Sequence, residues 1–308
     1  MLKIGVLRGR EDSFPDAVID EINRRDCGVS AEYIHLGGTS CGEPCPYRVI
    51  LDRISHEVPY YEVYLKQASM QGTYVVNNPF WMHVDDKFFG YALAKQLGIP
   101  VPKTVVLPNR RYEADITEGS LRNMWPIDWD ARLQEVGLPC IMKPAFGGGW
   151  KSVYKIYSKD DAIRAYEESG SLTMTLQEFI PWQDYIRCLS VGKDRVRAIR
   201  YIPRPMGQGE YVQDQSVLDP HDKEMAEEYT KRFNTAIGYD MNALEFAVKD
   251  HVLYAIDITN YVCDFDYRSL KDAHFPWVVN TMADFLIEKA KSGERNEVTA
   301  NWGKYLNK

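Results

Sequence analysis

The sequence is short of cysteine, of basic excess and of long apolar runs, and each shortage excludes a class of protein. Six cysteines in 308 residues are too few for a scaffold built on disulfides. Cys27, Cys140, Cys188 and Cys263 lie among apolar or mixed neighbours and read as small buried or half-buried thiols. Cys41 and Cys45 are closer together, but a metal site needs two more ligands at regular spacing, and His35 and His56 are the only nearby candidates. A reducing, cytoplasmic location is the expectation. The 37 basic residues are outnumbered by 44 acidic ones, for a net charge of -7, which argues against nucleic acid as a partner. No apolar run reaches the roughly 18 residues of a membrane helix. Residues 1–8 become charged too quickly for a signal peptide and read as a first buried strand. Neither internal repeats nor low-complexity tracts occur.

What is there is an ordinary globular composition, 45% hydrophobic and 26% charged, which excludes disordered, collagen-like and coiled-coil chains. The length suggests two domains of about 150 residues each. The first third alternates strand and helix patterns: strands at 3–7, 29–36, 49–54 and 73–76, and helices at 14–25 and 59–71. Ser13 is placed to cap the first helix. That alternation predicts a parallel α/β sheet. A helix opened by Asp85-Asp86 runs to about residue 97. A strand at 104–107 follows, and residues 109–135 take no assignment. From residue 139 the pattern is rich in strands, at 139–143, 153–156 and 173–180. Hairpins are expected around Gly192 (185–191 with 195–201) and around Asp250-His251 (243–249 with 252–258). Helices are expected at 160–168, 220–236 and 275–291.

Chemistry concentrates in two places. In Ile141-Met142-Lys143-Pro144-Ala145-Phe146-Gly147-Gly148-Gly149-Trp150-Lys151, a lysine ends a strand and a glycine triplet follows. Glycines let backbone N–H groups approach an anion, and lysine supplies a compact charge for phosphate. A plain hairpin turn with incidental lysines is the other reading. About a hundred residues later, Glu245 and Asp257 interrupt apolar strands across a tight turn, with Asn260 just beyond. Oxygen ligands of this kind suit Mg²⁺ bound with nucleotide phosphates. A structural ion pair, for instance with Arg200, explains them equally.

The order of these features resembles the ATP-grasp superfamily, similar to its ribosomal-modification and D-alanine–D-alanine ligase branches. Asp86-Lys87 opens a helix as that family's Asp-Lys does. Leu97-Gly98-Ile99-Pro100-Val101-Pro102-Lys103-Thr104 looks like its helix exit, and Leu176-Gln177-Glu178-Phe179-Ile180-Pro181 like its linker. Asp52-Arg53-Ile54-Ser55 and Asn77-Asn78-Pro79 look like its preceding domain. The resemblance spans about residues 1–290. It implies an α/β fold with α+β character in the C-terminal part. The units implied are a Rossmann-like pre-ATP-grasp domain at 1–84, a central subdomain at 85–176 and a C-terminal subdomain at 177–308.

The resemblance also implies roles. Lys87 and Lys143 contact ATP phosphates, with Lys143 reaching toward adenine. Backbone at Gln177, Glu178, Phe179 and Ile180 binds the adenine edge, and Asp184 holds ribose. Gly147, Gly148, Gly149 and Lys151 close over the phosphates. Glu245, Asp257 and Asn260 hold one or two Mg²⁺ ions, with Mn²⁺ an acceptable substitute.

Two departures stand out. The usual Glu-x-Asn is here Asp257-Ile258-Thr259-Asn260, so either Thr259 takes the asparagine position or Asn260 swings in; an amide oxygen is the better ligand for a hard cation. An arginine expected two residues before Glu245 is Ala243, which leaves Arg200 and Arg204 as candidate catalytic cations beside Lys151. Arg53 faces either a substrate carboxylate or an acid at a domain junction, Trp150 either covers the nucleotide or substrate or simply packs, and residues 201–209 are either a loop near the acceptor or a plain surface excursion. The activity implied is a Mg-dependent carboxylate–amine ligase acting through an acylphosphate. Its substrates are a small carboxylate and an amine, either an amino acid or a peptide, and a homodimer is allowed. A kinase on the same fold and a non-catalytic nucleotide-binding regulator are the alternatives.

Overall fold

The structure, a computed structural model, describes residues 1–117, 119–204, 208–297 and 300–306. Its first sheet contains β1 (Leu2–Leu7), β2 (Val29–Tyr33), β3 (Val49–Asp52) and β4 (Tyr74–Val76), all parallel, in the order β2-β1-β3-β4. Helix α1 (Phe14–Arg24) starts with Pro15 in its first turn and buries Val18 and Ile22, one turn apart. Helix α2 is Pro59–Met70. Ser13 does not cap α1. Its hydroxyl hydrogen-bonds the Asp266 carboxylate and accepts from the Tyr267 N–H at 2.8 Å, because a charged acceptor and an open helix start across the chain offer better partners.

The second sheet is antiparallel, in the order β5 (Thr104–Val106), β8 (Met174–Glu178), β6 (Cys140–Pro144), β7 (Tyr154–Ile156). It packs on α4 (Trp129–Val136) and α5 (Lys159–Glu168). Helix α4 begins within the stretch that gave no pattern, where the Asp128 carboxylate accepts from the Ala131 N–H. Helix α3 (Lys87–Gln96) is capped as expected, the Asp86 carboxylate accepting from the Phe89 N–H at 2.6 Å.

The third sheet runs β11 (Glu210–Tyr211), β10 (Arg195–Ile202), β9 (Asp184–Val191), β12 (Met241–Lys249), β13 (Val252–Asp257), again antiparallel. Helix α6 (Pro220–Ile237) covers one face. The other face packs against α7 (Tyr267–Ser292), which also meets β1 and β3. Helix α7 starts eight residues before the expected 275, with a non-helical break at Lys271 and Pro276 inside it.

One apolar core therefore joins the first and third sheets, from Ile4 and Val49 through Phe285 and Met282 to Leu189 and Ile199. The buried Asn77 side chain closes the junction: its Nδ2 donates to the Met241 and Tyr261 carbonyls, and its Oδ1 accepts from the Asp240 and Met241 N–H groups. No helix among the described residues is long and apolar enough to cross a membrane.

Candidate functional site

The two lysines reach the third sheet from different elements, Lys87 from α3 and Lys143 from β6. Lys87, at the start of α3, donates to the Gly147 carbonyl, and its backbone N–H donates to the Ala145 carbonyl at 2.9 Å. Lys143, on β6 and only 7% exposed, donates to the Ile256 carbonyl at 2.8 Å. The Tyr91 hydroxyl donates to that same carbonyl at 2.6 Å. Burial pushes the Lys143 pKa down, against the pull of Asp257 and Glu245.

The Ile256 carbonyl is free for this because β13 bulges there. Phe246 pairs with Ala255, but Glu245 pairs with Asp257, so β13 carries one extra residue. A bulge leaves its residue out of the ladder and re-aims the strand. It also sets Glu245 directly opposite Asp257. On the other side, Glu245 is in register with Arg187 of β9. The row Arg187–Glu245–Asp257 thus crosses one face of the sheet.

Arg187 Nη1 lies 3.3 Å from Glu245 Oε1, the Tyr185 hydroxyl donates to Oε2 at 2.8 Å, and the guanidinium sits over the Tyr201 and Tyr211 rings. Burial works against the arginine's charge, but Tyr211, Glu245 and Tyr201 outweigh it and hold its pKa well above the usual value. Burial raises the pKa of Glu245, opposed chiefly by Arg187.

Asp257 Oδ1 is buried and has no hydrogen-bond partner among the described residues, and Lys87 Nζ lies 3.9 Å from it. A buried carboxylate oxygen without a donor is costly. Beside the Glu245 carboxylate, it fits a hard divalent cation that prefers oxygen ligands. Asn260 is half-buried; its backbone N–H donates to Asn242 Oδ1 at 2.9 Å, and its side chain has no hydrogen bond among the described residues.

The glycine loop is open. Gly147, Gly149, Trp150 and Ser152 have positive φ, so successive N–H groups turn in the manner of an anion nest, and Trp150 is 44% exposed. Lys151 is exposed on the same loop. At the other end of the second sheet, Gln177 Nε2 donates to Thr104 Oγ1 at 3.0 Å, and Glu178 Oε2 accepts from the Lys103 N–H at 3.1 Å. Phe179 carries Lys155 over its ring at 4.1 Å, and Ile180 enters the shared core.

Other expected residues lie elsewhere. Register alternation puts Asp184 and Arg200 on the face opposite Glu245, where Arg200 Nε bonds Asp184 Oδ1 at 2.9 Å. The ion pair proposed for the acids is therefore made by Arg187, which the sequence reading passed over. The missing signal was register, since Arg187 is 58 positions from its partner. Arg204 pairs with Glu210 at 3.2 Å, and residues 205–207 of the expected acceptor loop lie outside the described residues. Arg53 pairs with an acid, at the wall of a cleft that Arg10, His56 and Asp264 also line. It is fully buried, held by both Glu11 oxygens and the Cys263 carbonyl, between the Phe14 and Phe265 rings. Asp219, His221 and Asp222 also cluster, at the start of α6, where Asp219 caps the helix and Asp222 meets His251.

No protein-family model matches the chain, and no curated protein does. Solved structures do. A RimK domain ATP-grasp protein from Sphaerobacter thermophilus matches at TM-score 0.64 and 19% identity, over 92% of this chain and 99% of its own. The D-alanine–D-alanine ligase of Bacillus anthracis, complexed with ATP, matches at 0.65 and 16%, over 94% and 98%. The VanG D-Ala:D-Ser ligase of Enterococcus faecalis matches at 0.66 and 15%, over 94% and 99%. The chain has the ATP-grasp fold, with an N-terminal α/β unit like the one that precedes it in those proteins.

Proposed function

We propose that the protein is a Mg-dependent, ATP-consuming ligase that joins a carboxylate to an amine through an acylphosphate. The observation that carries this reading is the buried Asp257 Oδ1, without a donor among the described residues and facing Glu245, with Lys87 and Lys143 both reaching it from the central unit. The ATP held by the Bacillus anthracis ligase and the ligase names of its neighbours support it. The unit boundaries at 84/85 and 176/177 belong to the same reading, with ATP between the last two units.

Glu245, Asp257 and Asn260 are the residues that would hold Mg²⁺. When bound, the ion supplies positive charge against the triphosphate. Lys87 and Lys143 add two ammonium groups, and Lys143, buried away from water, interacts more strongly than a solvated lysine would. The glycine loop N–H groups and Lys151 close over the phosphates, and backbone at 177–180 takes the adenine edge. Arg187 replaces Arg200 and Arg204 as the fixed cation beside the reacting groups. It is pre-aligned by Glu245 and two tyrosines, so orienting it costs little during reaction. Asp184, tied to Arg200, remains the ribose ligand of this reading, from the first position of its strand.

The test is a phosphate-release screen of carboxylates against amino acids and other amines, followed by mass spectrometry. Phosphate release that needs both substrates, with an amide product, is expected. A stable phosphorylated carboxylate with no amide would replace the ligase reading with a kinase. Failure of Mg-ATP to bind by calorimetry would remove both.

A further inference from the structure

We infer that Asn242 is a positioning residue for the cation end of the site, acting from behind the sheet. The inference rests on the proposed metal-dependent ligase. Strand β13 ends at Asp257, so residues 258–260 have no backbone ladder to fix them. The side chain of Asn242 does it instead. Its Nδ2 donates to the Ile258 carbonyl at 3.0 Å, and its Oδ1 accepts from the Asn260 N–H at 2.9 Å. One amide thus grips the chain on both sides of Thr259.

The grip has a single orientation. The second Nδ2 hydrogen goes to Asn234 Oδ1 at 2.9 Å, and the second Oδ1 lone pair takes the Ala243 N–H at 2.9 Å. All four bonding positions of the amide are used. The Ile258 carbonyl can only accept and the two N–H groups can only donate, so a flipped amide breaks the set. Asn234 is held in turn: its Nδ2 donates to Ser190 Oγ at 2.8 Å, and Ser190 Oγ donates to the Asn242 carbonyl at 2.9 Å. Asn234, Asn242 and Ser190 are all fully buried. Such a closed polar circuit is rigid when complete and costly when broken.

Its product is the departure from Glu-x-Asn. With Ile258 and Asn260 pinned by their backbones, the half-buried Asn260 amide has no hydrogen-bond partner among the described residues and lies beside the bulged strand that presents Asp257. Asn242 sits on the α6 face, opposite Glu245, and needs no contact with nucleotide or metal.

The experiment measures Mn²⁺ affinity by electron paramagnetic resonance in the presence of a non-hydrolysable ATP analogue. Analogue affinity in EDTA and urea stability are measured on the same samples. Asn242→Ala is expected to weaken Mn²⁺ at least about tenfold, a loss of about one charge-assisted contact, while the EDTA affinity changes less than about twofold. A folded Asn242→Ala protein with wild-type Mn²⁺ affinity overturns the assignment. Where that variant does not fold, Asn242→Asp carries the test, since it keeps the size and the bond from the Asn260 N–H but cannot donate to the Ile258 carbonyl; unchanged Mn²⁺ affinity there overturns it too. Wild-type protein with no metal-dependent nucleotide binding would instead sink the ligase site itself.

Discussion

Glu245 and Asp257 face each other across β12 and β13 only because β13 carries an extra residue at the turn into the site. In an unbulged ladder residue 256 would face Glu245, and Asp257 would pair with Leu244 on the other face, since side chains alternate along a strand. The same bulge releases the Ile256 carbonyl to Lys143 and Tyr91. One backbone irregularity therefore aims two acids and one lysine together.

Lys143 is the first group to test. Lys143→Met keeps the bulk and removes the charge, and should weaken ATP binding about 10- to 100-fold, the worth of a charge-assisted bond. Isothermal calorimetry reads this directly, and an unchanged affinity would remove Lys143 from the site.

Arg187→Lys keeps a charge but loses the planar fork that meets Glu245 and lies between Tyr201 and Tyr211. Turnover should fall by about a hundredfold, as for loss of one aligned cation, with nucleotide affinity nearly preserved. Steady-state kinetics on the substrates found by the screen separate the two effects. Equal losses in binding and turnover would reassign Arg187 to simple packing.

Arg53→Met tests the junction between the first and third sheets. Removing the guanidinium leaves the Glu11 carboxylate without its buried partner and should cost about 3–5 kcal/mol. Urea unfolding at neutral pH is the measurement, and a shift below about 1 kcal/mol, typical of an exposed pair, would contradict the burial.

His274 supplies a pH test. Burial pushes its pKa below the usual histidine value, and its Nε2 meets the Val212 carbonyl at 2.9 Å. A depressed base folds best when neutral, so its contribution is complete above the unfolded pKa of about 6.5 and is lost as pH falls toward the folded value. His274→Gln should flatten the fall in stability between pH 7.5 and pH 5.5. His56, also lowered by burial, and His251, raised by Asp222, act equally in both proteins and cancel in the comparison. Parallel curves for the two proteins would show that His274 does not titrate in this range.

Much of the molecule was readable before any coordinates. The alternating strands and helices of the first 76 residues predicted the parallel sheet that β1 to β4 form, and the hairpins around Gly192 and Asp250 fall where expected. Turn residues, caps and apolar period are local signals, so they survive without a fold. Ser13 shows their limit, because a cap that serves its own helix and one that serves a helix 254 residues away have the same sequence. Helix α4 shows another, since its polar surface hides a stripe of only two buried residues, Leu133 and Val136.

What the sequence determined by itself was the inventory: two lysines, a glycine loop, two carboxylates and an amide, in an order that fits one fold. Which of them meet was decided by tertiary structure. Arg187 and Arg200 are indistinguishable as residues on neighbouring strands, yet alternation sends one to Glu245 and the other to Asp184 on the far face. A single extra residue in β13 reverses that alternation for Asp257. Asn242 acquires its role only where a strand ends early and a buried amide can take over its hydrogen bonds. Register and burial are properties of paired strands, and no one strand's sequence carries them.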